Sequence, residues 1–314
     1  MQPGLAALLH PRTSPELLAS WAADEPFVVH GRRNSVAALT RLPLLRSLDT
    51  MLNAWPDQVQ AHLPDVADEA SSIDASPRDA RKLFASGMSL LFNDVHAISA
   101  TLTLWLTAIC RDLGLSALTQ GRCLVYATPK GKGTAPHFDQ NINLVLQLRG
   151  TKKWWLAPNE HVQRPLTRHT MGLPVDPELQ TYARTPMPRR MPADRRLIVL
   201  KPGSLLFVPR GTWHATAATQ DALSLNFTYT APTWIDLFMA ALRSRLALSS
   251  EWRETATLAS APALDALLRE LGHDVPHWRA ADILAATEGE SGEDLDASAS
   301  AIPAPPLTPM TPDA

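Results

Sequence analysis

The chain has 314 residues, 45% apolar and 19% charged, with 29 basic against 31 acidic side chains. That length is ample for a buried core in one large domain or two small ones, and the near-neutral sum argues against a nucleic-acid binder. The sum is uneven, because residues 281–314 hold seven acidic side chains and no Lys or Arg, which leaves residues 1–280 at +5.

In chain order, the start MQPGLAALLHPRTSP has neither a basic stretch nor a small-residue cleavage site. No secretory signal is therefore expected, no ~18-residue apolar run suggests a membrane span, and the cytoplasm is the expected location. Residues 1–120 read as a mainly helical region packing on a barrel formed by residues 121–232. Val36–Leu52 has helical apolar spacing interrupted by Pro43, and 77–92 and 95–113 read as helices, with Pro77 in a first turn after Ser76 and Gly114 as a stop. Cys110 and Cys123 are the only cysteines and make neither a zinc knuckle nor a disulfide framework.

From 121 to 232 short runs of β-branched and aliphatic residues alternate with Gly and Pro. They are Cys123–Ala127, Ile142–Leu148, Lys153–Leu156, Leu197–Leu200, Ser204–Val208 and Leu223–Tyr229. Gly150-Thr151 is expected to turn a hairpin, and Pro202-Gly203 marks another turn. Short strands without helical spacers imply an antiparallel sandwich or barrel. An insertion over 157–196 carries seven prolines and seven arginines, a composition that is either functional or mobile inside a compact domain. Residues 233–287 are expected to form helices, chiefly over 233–247 and 262–272. The acidic, Pro-rich stretch 288–314 offers too little apolar surface to order itself.

The chemistry concentrates in Gly133-Thr134-Ala135-Pro136-His137-Phe138-Asp139. On an extended segment residues i and i+2 face the same way, so His137 and Asp139 can aim at one point while Phe138 packs behind. His214, in PRGTWHAT after the strand Ser204–Val208, is the best third ligand, held by a turn. Two His and one carboxylate leave open positions at a metal, the arrangement of non-haem Fe(II) oxygenases. The remaining histidines show no paired spacing and are read as surface or structural.

The block His137–Trp155, HFDQNINLVLQLRGTKKWW, resembles the metal-binding strand of JmjC-type cupins, and residues 202–229 resemble their second metal-binding segment. Within that family the likeness is to the bacterial cupin-like branch akin to the hypoxia-factor asparaginyl hydroxylase. The resemblance implies a double-stranded β-helix, or jelly-roll, with flanking helices. It implies Fe(II), 2-oxoglutarate and O2, with His137, Asp139 and His214 as iron ligands. Lys152 matches the cation that pairs with the distal 2-oxoglutarate carboxylate; alternation sends Lys153 to the opposite face. Thr134, Asn143, Asn226 and Tyr126 match further co-substrate contacts. The implied reaction is hydroxylation of a peptide or protein side chain, with 2-oxoglutarate decarboxylated to succinate. The same chemistry on a small natural product or amino acid, and a non-catalytic metal-binding cupin, are the alternatives. Arginines 184–196, Arg189 and Arg190 foremost, are candidate substrate contacts or else a solvated loop, and 233–247 is a candidate homodimer surface.

Overall fold

A computed structural model describes residues 2–31, 36–63, 71–257 and 261–284. The described residues fall into two compact units that part between Ala231 and Pro232. The strands of the first unit are β1 (Phe27–His30), β2 (Val59–His62), β3 (Ser72–Ala75), β4 (Ser89–Phe92), β5 (Gln120–Thr128), β6 (Gly133–Phe138) and β7 (Ile142–Arg149). They continue with β8 (Lys152–Ala157), β9 (His169–Thr170), β10 (Arg196–Leu200), β11 (Ser204–Val208), β12 (Trp213–Ala218) and β13 (Ala222–Thr230). All strand pairings among the described residues are antiparallel. The larger sheet runs β1-β11-β7-β13-β5-β4-β2-β3 and the smaller runs β10-β8-β12-β6-β9. This is the jelly-roll expected from the sequence, with strands alternating between two sheets.

The alternation corrects one local expectation. Gly150-Thr151 does not turn a hairpin: β7 pairs with β11 and β13, whereas β8 pairs with β10 and β12, so the chain crosses from one sheet to the other there.

Between the sheets, Val145, Trp154, Leu156, Ile198, Leu200, Leu206 and Val208 form an apolar cluster. The other face of the larger sheet contributes Leu144, Leu146, Phe207, Leu225 and Phe227 to a second, larger core. Helices α1 (Leu5–Leu9), α2 (Ser14–Ala22), α3 (Ala37–Thr40), α4 (Leu48–Ala54), α5 (Pro77–Ala85) and α6 (Ala100–Asp112) supply that core with Leu5, Leu17, Leu39, Met51, Ala80, Trp105 and Ile109. Burial of both faces explains why Ile142–Leu148 is apolar nearly throughout instead of alternating.

The N-terminal 120 residues are less helical than their pattern suggests, because β1–β4 join the larger sheet. Ser76 caps α5 by accepting from the Asp79 N–H, and Pro77 follows it as expected. The helix nevertheless ends at Ala85. Gly87 adopts φ 95°, a left-handed turn that suits glycine, and 89–92 continues as β4. Residues 36–52 break at Pro43 into α3, a 3-10 turn over Pro43–Leu45, and α4. Residues 95–113 divide at Ser99, which caps α6 after a 3-10 turn.

The insertion 157–196 contains β9 and α7 (Pro177–Tyr182). Val162 and Leu179 from it share a small core with Phe138 and Trp213. The second unit holds α8 (Trp234–Leu246) and α9 (Ala261–Asp274), near the expected spans, joined by an ion pair between Arg245 and Asp274 at 2.9 Å. The stretch 288–314 lies outside the described residues. No helix among the described residues is long and apolar enough to cross a membrane.

Candidate metal centre and its cavity

Strands β6 and β12 pair so that His137 stands opposite His214. Directly opposed residues on antiparallel strands project to the same face, and the two imidazole centroids lie 4.1 Å apart. His214 is thus the second residue of β12, just past the turn that the sequence places before it. A register shift between His214 and Thr216 marks a local irregularity, a device that re-aims side chains.

The histidine tautomers follow from their partners. His137 Nδ1 lies 2.7 Å from the Ala135 carbonyl oxygen and His214 Nδ1 lies 2.9 Å from that of Thr212. A carbonyl only accepts, so each Nδ1 carries the proton and donates. Both Nε2 lone pairs are left for a metal, and the backbone bonds fix the rings.

Asp139 follows the last residue of β6. Phe138 turns to the opposite side and packs edge-on against Trp213, with centroids 4.7 Å apart. The Asp139 carboxylate reaches the two rings, with Oδ1 4.0 Å from His137 Nε2 and Oδ2 3.6 Å from His214 Nε2. One ligand atom from each residue lies within 4.8 Å of the others. Asn143 Nδ2 donates to Asp139 Oδ2 at 3.1 Å, and Asn143 Oδ1 accepts from the Thr228 hydroxyl at 2.7 Å. Arg168 Nε lies 3.3 Å from Asp139 Oδ1. The ring of Trp154 stacks on His214 at 5.6 Å and 22°.

These groups line a cavity of about 470 Å³ between the sheets. Its wall follows the two-residue alternation of the strands. Gln120, Arg122, Leu124 and Tyr126 of β5 face in, as do Thr230, Thr228, Asn226 and Ser224 of β13, each opposite its partner in the ladder. Gln120, Arg122 and Thr230 are exposed and mark the mouth; Asn226, Ser224 and Lys152 are buried.

Lys152 opens β8 at that buried end, and its neighbour Lys153 is half-buried. Lys152 Nζ donates to Thr128 Oγ1 at 3.3 Å and sits 5.8 Å from the Tyr126 ring centroid and 5.7 Å from that of Trp154. Thr134 Oγ1 lies 2.9 Å from Thr216 Oγ1. Asn226 Oδ1 is buried and accepts no hydrogen bond among the described residues. At the mouth, Arg122 donates through Nε and Nη2 to both carboxylate oxygens of Asp94, each at 2.8 Å. That guanidinium holds the Asp94 carboxyl below its ordinary range.

The structure therefore gathers His137, Asp139, His214, Lys152, Thr134, Asn143, Asn226 and Tyr126 around one cavity. Arg189 and Arg190 are exposed and are not part of its wall. The arginine of the insertion that does reach the site is Arg168. Its position depends on β9 pairing with β6, Phe138 opposite His169, and no local pattern in the Pro- and Arg-rich stretch announces that contact. Arg122 and Gln120 alternate in step with Tyr126, a signal available in the sequence.

Two imidazole nitrogens and a carboxylate, ready on the inner strands of a jelly-roll, define a metal-binding cupin. A family model described as JmjC domain matches residues 110–237. The uncharacterized protein YxbC of Bacillus subtilis is 31% identical over 258 residues, covering 80% of this chain and 78% of that one. Human ribosomal oxygenase 1 is 31% identical over 179 residues, 54% of this chain. The chain spans about a quarter of that protein's length, 24%. The Escherichia coli ribosomal oxygenase YcfD superposes with a TM-score of 0.48 at 16% identity, over 89% of this chain and 69% of that one. This chain belongs to the JmjC-domain family. Enzymes of that family are oxygenases that use Fe(II), 2-oxoglutarate and O2.

Proposed function

We propose that the protein is an Fe(II)- and 2-oxoglutarate-dependent hydroxylase acting on a peptide or protein side chain. The observation that carries this reading is the convergence of His137, Asp139, His214 and the buried Lys152 on one cavity. The donor set suits Fe(II): two neutral imidazoles and one carboxylate, with each Nδ1 proton already engaged by a backbone carbonyl. When bound, iron and 2-oxoglutarate supply the oxidation, consuming O2 as 2-oxoglutarate becomes succinate and CO2 and a substrate C–H bond becomes C–OH.

The chain's own contribution is positioning. Ala135 and Thr212 hold the histidine rings, Asn143 donates to one oxygen of Asp139, and Arg168 lies within ion-pair distance of the other. Lys152 offers the distal carboxylate of 2-oxoglutarate a charge-assisted partner in a setting where an unpaired anion would be costly. Thr134, Asn226 and Tyr126 are the remaining polar contacts proposed for the co-substrate, while Val145, Trp154 and Val208 keep that part of the wall apolar. Support for a macromolecular substrate comes from the open, polar mouth at Gln120, Arg122 and Thr230 and from the ribosomal oxygenases among the relatives. Homodimerisation through 233–247 is part of the same proposal, supported by exposed Trp234, Ile235 and Met239 on α8.

Anaerobic titration with Fe(II) and then 2-oxoglutarate tests the site, and succinate release under air tests turnover. A visible charge-transfer band that needs both additions is expected. Its absence would overturn the metal and co-substrate reading. Binding of both without succinate release under any condition would favour the non-catalytic cupin, and release stimulated only by metabolite pools would favour a small-molecule substrate.

A further inference from the structure

Four charged side chains line the cavity among the described residues: Arg122, Asp139, Lys152 and Arg168. Their sum is positive, three cations against one carboxylate. Asp94 offsets Arg122 from outside the wall, through the two 2.8 Å contacts. A bound Fe(II) and a bound dicarboxylate cancel each other, so the loaded cavity keeps its excess of positive charge. A Lys or Arg target entering it would bring a like charge into a partly enclosed space, where screening is weak. An acidic target would restore balance.

The cation nearest the metal ligands is Arg168, with a side chain 24% exposed and Nε 3.3 Å from Asp139 Oδ1. A guanidinium has five donors in a planar fork, so one group can serve Asp139 and a second carboxylate together. Around the mouth, the uncharged polar wall includes the carboxamides of Gln120, Gln140 and Asn141. Asn141 Oδ1 accepts from Thr230 at 2.8 Å, while the side chains of Gln120 and Gln140 make no hydrogen bond among the described residues. Each carboxamide offers a donor and an acceptor, the complement of a peptide group.

We propose that the cavity selects an acidic residue within a peptide segment, with Arg168 as the specificity-determining residue and the carboxamide rim taking the peptide backbone. This rests on the hydroxylase reading and narrows it to a substrate class.

The test uses the full chain and pools of blocked hexapeptides that share random flanks and differ only in a fixed central residue: Asp, Glu, Asn, Gln, Lys, Arg or Leu. Succinate release and a 16-Da product are read with Fe(II), 2-oxoglutarate and air. Binding is read separately by fluorescence anisotropy of labelled pools on the Mn(II)- and 2-oxoglutarate-loaded protein, which needs no turnover. The Asp or Glu pool is expected to bind and to stimulate release at least tenfold over the Lys and Arg pools. Arg168→Gln should remove most of that preference while leaving Asn and Gln pools in their order, and Arg168→Lys should restore part of it. Mn(II) affinity measured for each variant separates loss of selectivity from loss of the metal. Preference for the Lys or Arg pool, equal response to all pools, response to none, or response only to free aspartate or glutamate overturns the proposal. If 2-oxoglutarate fails to bind or is never decarboxylated, the hydroxylase reading fails first, and the binding arm shows that separately.

Discussion

At the residue scale, the metal centre depends on few atoms, and each has a separable effect. His137→Ala removes one of three ligands and should abolish the Fe(II)–2-oxoglutarate band; an unchanged spectrum would place the metal elsewhere. Asn143→Ala leaves all ligands present but deprives Asp139 Oδ2 of its donor and Thr228 of its acceptor. Loss of such a supporting bond typically weakens metal affinity ~10–100-fold, which Fe(II) or Mn(II) titration would read directly. Lys152→Ala should act on the other end of the cavity. Its expected signature is a rise in the 2-oxoglutarate KM of ~10-fold or more, the cost of a lost charge-assisted contact of about 1.5–3 kcal/mol, with metal affinity retained. A matching loss of both affinities would instead show that Lys152 supports the fold around Thr128.

At the element scale, the site is a matter of strand register. His137 meets His214 only because β6 and β12 pair as they do, and the two strands approach closely at Gly133, where a Cβ would fall 1.8 Å from the Thr216 carbonyl oxygen. Gly133→Ala should therefore force the strands apart, destabilising by about 3 kcal/mol as overpacking does and weakening metal binding with it. Urea unfolding with a parallel metal titration checks both, and an unchanged midpoint would show that the pairing yields at no cost. Register also explains how much is legible in the sequence. His137 and Asp139 can be paired, and Lys152 separated from Lys153, because both inferences need only the two-residue alternation of one strand. His214 is legible as a candidate ligand beyond a turn, but the strand that carries it, β12, is not among the apolar runs the sequence marks. The segment WHATAA is half alanine, with weak strand propensity of its own, and it is extended because β6 and β8 pair on either side. Gly150 resembles a hairpin turn for the same reason: local sequence signals a turn, while partners elsewhere in the chain decide which sheet receives the next strand. Arg168 is invisible at that level, since a two-residue strand such as β9 has no pattern to read.

At the scale of the whole molecule, helix α8 poses the question of assembly. Thr233 and Asp236 cap it reciprocally, at 3.2 Å for the Asp236 N–H on Thr233 Oγ1 and 2.6 Å for the Thr233 N–H on Asp236 Oδ2, so its start is well fixed. Trp234 and Phe238, and Ile235 and Met239, are each four residues apart and thus lie in adjacent rows on one side of the helix. Their exposures are 68% for Trp234, 59% for Ile235, 39% for Phe238 and 54% for Met239. Large apolar side chains clustered in this way mark an interaction surface more often than a solvated one, and the proposed partner is a second copy of the chain. The two copies would meet through the same patch, as a two-fold interface requires. Light scattering after size exclusion should then give twice the chain mass of 34.3 kDa, falling toward one chain on dilution. The double variant Ile235→Asp, Met239→Lys places charges in the centre of the patch and should weaken the dimer by two orders of magnitude or more, about 3 kcal/mol for desolvated, mismatched charges. Its circular dichroism should be unchanged, because both positions are exposed. A wild-type protein that stays monomeric at every concentration would exclude the dimer. An unaltered dimer in the double variant would move the interface away from α8.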